Sequence, residues 1–170
     1  MIKIIGVKGN IQDVDGFLKK VSVFVEENDI LIQVFDAGLI YGKNHLISAF
    51  EHAKRAMDRK TNTTNSLAME TLLYSSGERQ LKLAIPKMGI KKGDVAIALI
   101  FIIEPPNKFS DQLVSEFIEE LSLKRDDSVL EGDENTLKKF GISENELKTV
   151  TKTKYGNLIL EKVAMVDIIK

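Results

Sequence analysis

Val95–Ile103 (VAIALIFII) is the stretch whose reading decides the fold. It carries no charge, yet it falls well short of the roughly 20 apolar residues that a membrane helix needs. Ile and Val dominate it, and Glu104-Pro105-Pro106 stops it. A short β-branched run with such an end reads as a buried central strand.

Working outward, Ile2–Val7 and Ile30–Phe35 (ILIQVF) read as two more strands, and Ser128–Leu130 as a short fourth. A helix starting at Asp13 or Asp15 carries Phe17, Leu18, Val21, Phe24 and Val25. A long helix spans about Lys43 to Arg59, and the polar Thr61–Asn65 breaks the chain after it. Two shorter helices, about Ser66–Ser75 and Glu78–Met88, are separated by Ser76-Gly77. Ser110 is placed to cap a helix running to about Leu121, and Ser143-x-x-Glu146 has the capping-box pattern. The acidic Asp126–Glu134 reads as a surface loop, and a last helix begins near Asn157. With neither a βαβ repeat nor an internal repeat, the expected fold is α/β: one domain over residues 1–170, a small mixed β-sheet flanked by helices.

Composition narrows the function. The 170 residues are 44% hydrophobic and 29% charged, ordinary for a soluble globular chain, and include no cysteine. Thiolate metal sites, disulfides and cysteine nucleophiles are therefore excluded. No targeting segment is visible, so the chain reads as cytoplasmic. The net charge of −1 hides an asymmetry: residues 43–92 hold ten Lys and Arg against four Asp and Glu. A local positive field in an acidic protein suits a nucleic-acid footprint, with a merely solvated basic face as the alternative.

Catalytic signals are poor. Phosphate-binding loops, GxGxxG and HExxH are absent from the sequence. Gly6-Val7-Lys8-Gly9 matches a bare GxxG, but it follows a strand rather than joining two helices. His45 and His52 stand about two helical turns apart, too far to share a metal unaided. Asp36, after a strand, has no nucleophile beside it and reads as a turn residue. No catalytic, cofactor or metal residue is assigned.

Two faces are more informative. In the long helix, Leu46, Ala49, Phe50, Ala53 and Met57 form the core stripe, while His45, Ser48, His52, Arg55 and Arg59 gather opposite as a basic face. In Ser66–Tyr74 the apolar residues run nearly all round, so the helix is either buried or offered to a partner. In the helix after it, Leu81, Ala84, Ile85 and Met88 form the core stripe, with Arg79 and Leu83 facing outward beside Lys82. A cation next to an apolar side chain suits a phosphate and its base. The last helix leaves only Glu161, Lys162 and Asp167 as a polar strip, which suggests a protein partner or burial in the core.

Three stretches carry a family resemblance: VFDAGLIYGKNHLISAFEHAKRA (Val34–Ala56), SLAMETLLYSSGERQLKLAIPKMGI (Ser66–Ile90) and LILEKVAMVDI (Leu158–Ile168). In order and spacing they resemble the small tRNA-binding subunit of the KEOPS complex, the PRPK-binding protein family. SGERQ with the downstream AI…MG is the most specific part, and Glu104–Thr153 matches nothing named. The resemblance implies a non-catalytic α/β subunit of the machinery that places threonylcarbamoyl on the adenosine beside the tRNA anticodon. Such a subunit binds the complex's small atypical kinase/ATPase, and through it the catalytic subunit, and captures tRNA, including its 3′ CCA end.

Carried onto this sequence, the expected tRNA contacts are Arg79 and Gln80 with Lys82 and Leu83, joined by Met88 at a CCA pocket. Lys43, His45, His52, Arg55 and Arg59 complete the set along the long helix. The expected kinase-binding residues are Leu72, Tyr74, Leu160, Val163, Val166 and Ile169. Two departures stand out: Leu81 where the family has Ile, and Pro86 in the last turn of its helix, which removes a backbone hydrogen bond and puts the pocket's shape in doubt. No cofactor or membrane is expected, and an isolated monomer is compatible with this reading. The competing readings are a kinase-regulating interaction module without nucleic-acid contact, and a small-molecule enzyme using Asp36 and His45.

Overall fold

A computed structural model describes residues 1–170, apart from the side chain of residue 94. Its central element is the strand that the apolar run forms. Here β1 is Ile2–Ile11, β2 Leu31–Asp36, β3 Gly93–Ile102 and β4 Lys124–Arg125. The described residues make a four-stranded sheet in the order β2-β3-β1-β4. Every pairing is antiparallel, so the sheet is not mixed as expected. The reason is local: β1 and β3 pair along their whole length, from Ile2 opposite Ile102 to Ile11 opposite Gly93, and β2 lies against the other edge of β3.

Side chains alternate across a strand, and β3 has a separate core on each face. Ala98, Ile100 and Ile102 enter one core, while Ile97, Leu99, Phe101 and Ile103 enter the other. This is why the run shows no polar alternation. One face is covered by α1 (Val14–Asn28) and α5 (Asp111–Glu120), where Phe117 packs edge-on against Phe24 and Phe101. Asp13 and Ser110 cap these helices by accepting from Gly16 N and Leu113 N.

The other face carries α2 (Gly42–Arg59), α3 (Leu67–Ser76) and α6 (Glu134–Phe140). Further out lie α4 (Leu81–Met88), the short α7 (Glu144–Leu147) and α8 (Tyr155–Ile169). A third apolar cluster joins α2, α3, α4 and α8 through Ala53, Leu73, Tyr74, Ala84, Val163 and Val166. Each fully buried Leu, Val or Phe of this kind contributes about 1.5–3 kcal/mol.

Three local expectations are corrected. Asp127–Leu130 is a 3-10 turn rather than a strand, because Asp126 accepts from Ser128 N and winds the chain tightly. The segment read as an acidic loop ends in a helix start: Asp133 and Thr136 form a capping box that opens α6. In α4, Ile85 is 47% exposed and leaves the core stripe.

The GxxG match has a structural cause. The backbone of residues 126–127 lies directly over Gly6, where a Cβ would come within 2.5 Å of the Asp126 carbonyl. Gly6 N donates to Asp127 Oδ1 and its carbonyl accepts from Asp126 N, both at 2.9 Å. Asp36 is the turn residue it was read as, accepting from Gly38 N at 2.9 Å.

Candidate functional site

The α3–α4 turn is built to hold Arg79 outward. Ser75 and Ser76 return their hydroxyls to the Leu72 and Leu73 carbonyls, and Gly77 then takes a left-handed conformation (φ 69°). Lys87 locks the turn from α4. Its ammonium donates to the Ser76 carbonyl at 2.7 Å, pairs with Glu78 at 3.1 Å and sits 4.1 Å above the Phe140 ring. Gln80 is extended and opens α4, three residues later than expected. Arg79, Lys82 and Leu83 are left exposed, and among the described residues neither cation has an ion-pair partner.

An apolar groove of about 520 Å³ lies between α1, β2, α3 and α4, lined from the last turn of α4 rather than from the α3–α4 turn itself. Leu18, Val34, Met69, Ile85 and Pro86 line it, and Lys91 stands at its margin. Pro86 does not break α4. Gly89 N still reaches the Ile85 carbonyl at 2.8 Å, and Lys91 donates to the Pro86 and Gly89 carbonyls. Met88, expected at this pocket, is fully buried in the core and is removed from the contact set.

The basic face of α2 is thinner than the helical wheel implied. His45 is fully buried: its Nδ1 accepts from Tyr41 N at 3.2 Å and its Nε2 donates to the Ser75 carbonyl at 2.8 Å. Burial, reinforced by Lys87 and only partly opposed by the Ser75 bond, lowers its pKa to about 4. A neutral imidazole with both nitrogens engaged cannot bind RNA, so His45 is a structural residue. His52 is mostly covered and bonds Asp167 at 2.7 Å. Lys43, Arg55 and Arg59 are exposed. They spread over about 24 Å of helix at 1.5 Å per residue rather than forming one patch.

The apolar helices divide differently. Tyr74, Val163 and Val166 are fully buried and Leu72 nearly so, all in contacts within the chain. In the chain alone these four side chains are covered by its own helices, apart from the share of Leu72 that lines the groove. The outer side of α8 is what remains: half-buried Leu160 and exposed Ile169, joined by Met165 and by Ile168 at 74% exposure. Ile47 is exposed on α2, which runs beside α8 in the same direction. Met165 and Ile168 were missed because the polar strip of α8 is split: Glu161 is exposed, while Lys162 turns to Glu146 and Asp167 to His52 and Tyr74.

Among the described residues no cluster of three metal-ligating side chains occurs, and no helix is long and apolar enough to cross a membrane. What the surface provides is exposed apolar residues on α8, a cationic turn and an apolar groove. Comparison with known proteins identifies the family. The chain is 30% identical over 142 residues to "Regulatory protein Cgi121" of Methanocaldococcus jannaschii, covering 81% of this chain and 84% of that protein. The family described as "Kinase binding protein CGI-121" matches residues 10–167. This chain belongs to the CGI-121 kinase-binding protein family.

Proposed function

We propose that this chain is a non-catalytic regulatory subunit of the KEOPS complex that docks on its small atypical kinase/ATPase and captures tRNA, including the 3′ CCA end. The observation that carries the tRNA part is the α3–α4 turn, which presents Arg79, Lys82 and Leu83 to solvent with no ion-pair partner for either cation among the described residues. The groove between α1, β2, α3 and α4 has the size and apolar lining to take an unstacked base, and Lys82 stands about one helical turn before Ile85 of that lining. Family membership supports the kinase part, and the exposed side of α8 is the surface available for it.

The test is a gel shift at low salt comparing intact tRNA with tRNA trimmed of CCA. Binding weakens on trimming, and Arg79→Glu abolishes it without changing the fold. Failure of the pure protein to bind tRNA, together with no effect of Arg79→Glu in the kinase complex, refutes the reading. A second reading is a kinase-regulating module without nucleic-acid contact. It is favoured by the burial of His45 and Met88, which takes two residues out of the RNA surface. Co-purification with the kinase without any tRNA shift would establish it.

A further inference from the structure

Glu70 places a carboxylate on α3 with no exposure to solvent. Its partners come from two distant parts of the chain. Thr63 N reaches both oxygens at 3.1 Å and Thr64 N reaches Oε2 at 2.9 Å, so the carboxylate organises the loop between α2 and α3. The counter-charge is Lys170, 100 residues away, whose ammonium lies 2.7 Å from Oε1. The Lys170 side chain is 8% exposed, and its Nζ sits 4.5 Å from the centre of the Tyr74 ring. Tyr74 in turn donates to Asp167 of α8, which also bonds His52.

A buried carboxylate held by amides alone keeps its net charge, and burying that charge is unfavourable without a cation. Lys170 supplies the cation, so a residue at the end of α8 holds the α2–α3 loop in shape. The same end of α8 carries Met165, Ile168 and Ile169 on its outer side. A protein seated on that outer side buries Ile168, which is 74% exposed, and so steadies the turn of α8 that leads to Lys170.

We propose that the Lys170–Glu70 pair is a latch through which the docking end of α8 sets the order of the loop at residues 61–65. It rests on the reading of α8 as the kinase-docking surface: docking keeps the latch closed and rigidifies a loop that the kinase need not touch.

The test is amide hydrogen exchange at Thr63 and Thr64 in the full chain. Lys170→Met speeds exchange there at least about tenfold, as loss of a buried counter-ion opens the loop. In a Glu70→Gln background the same substitution changes exchange by less than about twofold, because no buried charge remains to be held. Unchanged exchange in Lys170→Met overturns the latch, and so does a tenfold effect that persists in the Glu70→Gln background. The second comparison stands even if Lys170→Met alone does not fold. When the kinase subunit is added to the unsubstituted chain, exchange slows both at Met165–Ile169 and at Thr63–Thr64. In Lys170→Met only the α8 protection remains. Slowing at α8 alone in the unsubstituted chain overturns the latch and keeps the docking reading. No slowing at α8 overturns both.

Discussion

The imidazole of His45 donates from Nε2 to the carbonyl of Ser75 at 2.8 Å, and so closes the end of α3 with a side chain from the start of α2. Accepting from Tyr41 N at Nδ1 needs a neutral ring, and burial keeps the pKa of His45 down at about 4. In the unfolded chain the ring titrates near 6.5. The unfolded state therefore binds more protons between these values, and stability falls as the pH drops from about 6.5 to about 4. The loss over that window approaches about 3 kcal/mol, and it is complete below the folded value. Urea unfolding at pH 7, 5.5 and 4.5 measures it. A His45→Gln variant flattens that part of the profile, and an unaltered slope in the variant assigns the acid sensitivity to other groups.

The exposed side of α8 and the core beneath it respond oppositely to substitution. Ile168→Ala, at a side chain with 74% exposure, changes stability by no more than about 0.5 kcal/mol. Leu73→Ala, fully buried where α3 meets α8, costs about 3 kcal/mol. Ile168→Asp weakens kinase binding at least about tenfold if that exposed side holds a central anchor. Calorimetric titration with the kinase, beside urea unfolding of each variant, separates docking from folding. Loss of binding in Leu73→Ala alone would move the interface elsewhere.

How far the sequence led depends on how local each signal is. Val95–Ile103, Ser110 and Ser143-x-x-Glu146 were read correctly, because composition or a side chain three residues away settles each of them. His45 was misread because its environment is made by Ser75 and Phe140, which no helical wheel of α2 contains. Composition hid α6, since the acidic count of Asp126–Glu134 drew attention from the Asp133–Thr136 box at its end. For α8 the family was legible but its orientation was not. Only the partners of Val163 and Val166 in α2 and α3 decide which apolar side turns inward.

Gly77 fixes the exit from α3. Its φ of 69° is left-handed, while the nearest atoms to an added Cβ stand at ordinary contact distance, 3.4 Å for Lys162 Cβ and 3.5 Å for Phe140 Cζ. The cost of Gly77→Ala is therefore backbone strain of about 1–2 kcal/mol rather than a clash. Gly77→Asn costs less, because Asn accepts this conformation more readily. Denaturant midpoints rank the two variants. An Ala variant as stable as the parent would mean that the turn reforms without the left-handed residue, which would also displace Arg79.

Salt dependence tests whether the cations at this turn meet phosphates. Arg79 and Lys82 are exposed without an ion-pair partner among the described residues, so an RNA phosphate has no internal rival for either charge. Each phosphate neutralised along a single strand contributes about −0.7 to the slope of log affinity against log salt. Replacing both residues with Gln should lower the magnitude of that slope by about 1.4, and equally for tRNAs of different sequence. Replacing Lys87 should act otherwise. Its charge is already engaged by Glu78 and the Ser76 carbonyl, so Lys87→Gln loosens the turn and weakens binding without removing a phosphate contact. Filter-binding measurements from 50 to 200 mM salt, within the range where such slopes are read, distinguish the two behaviours. A slope that Arg79→Gln and Lys82→Gln leave intact would shift the RNA contacts to Arg55 and Arg59 on α2.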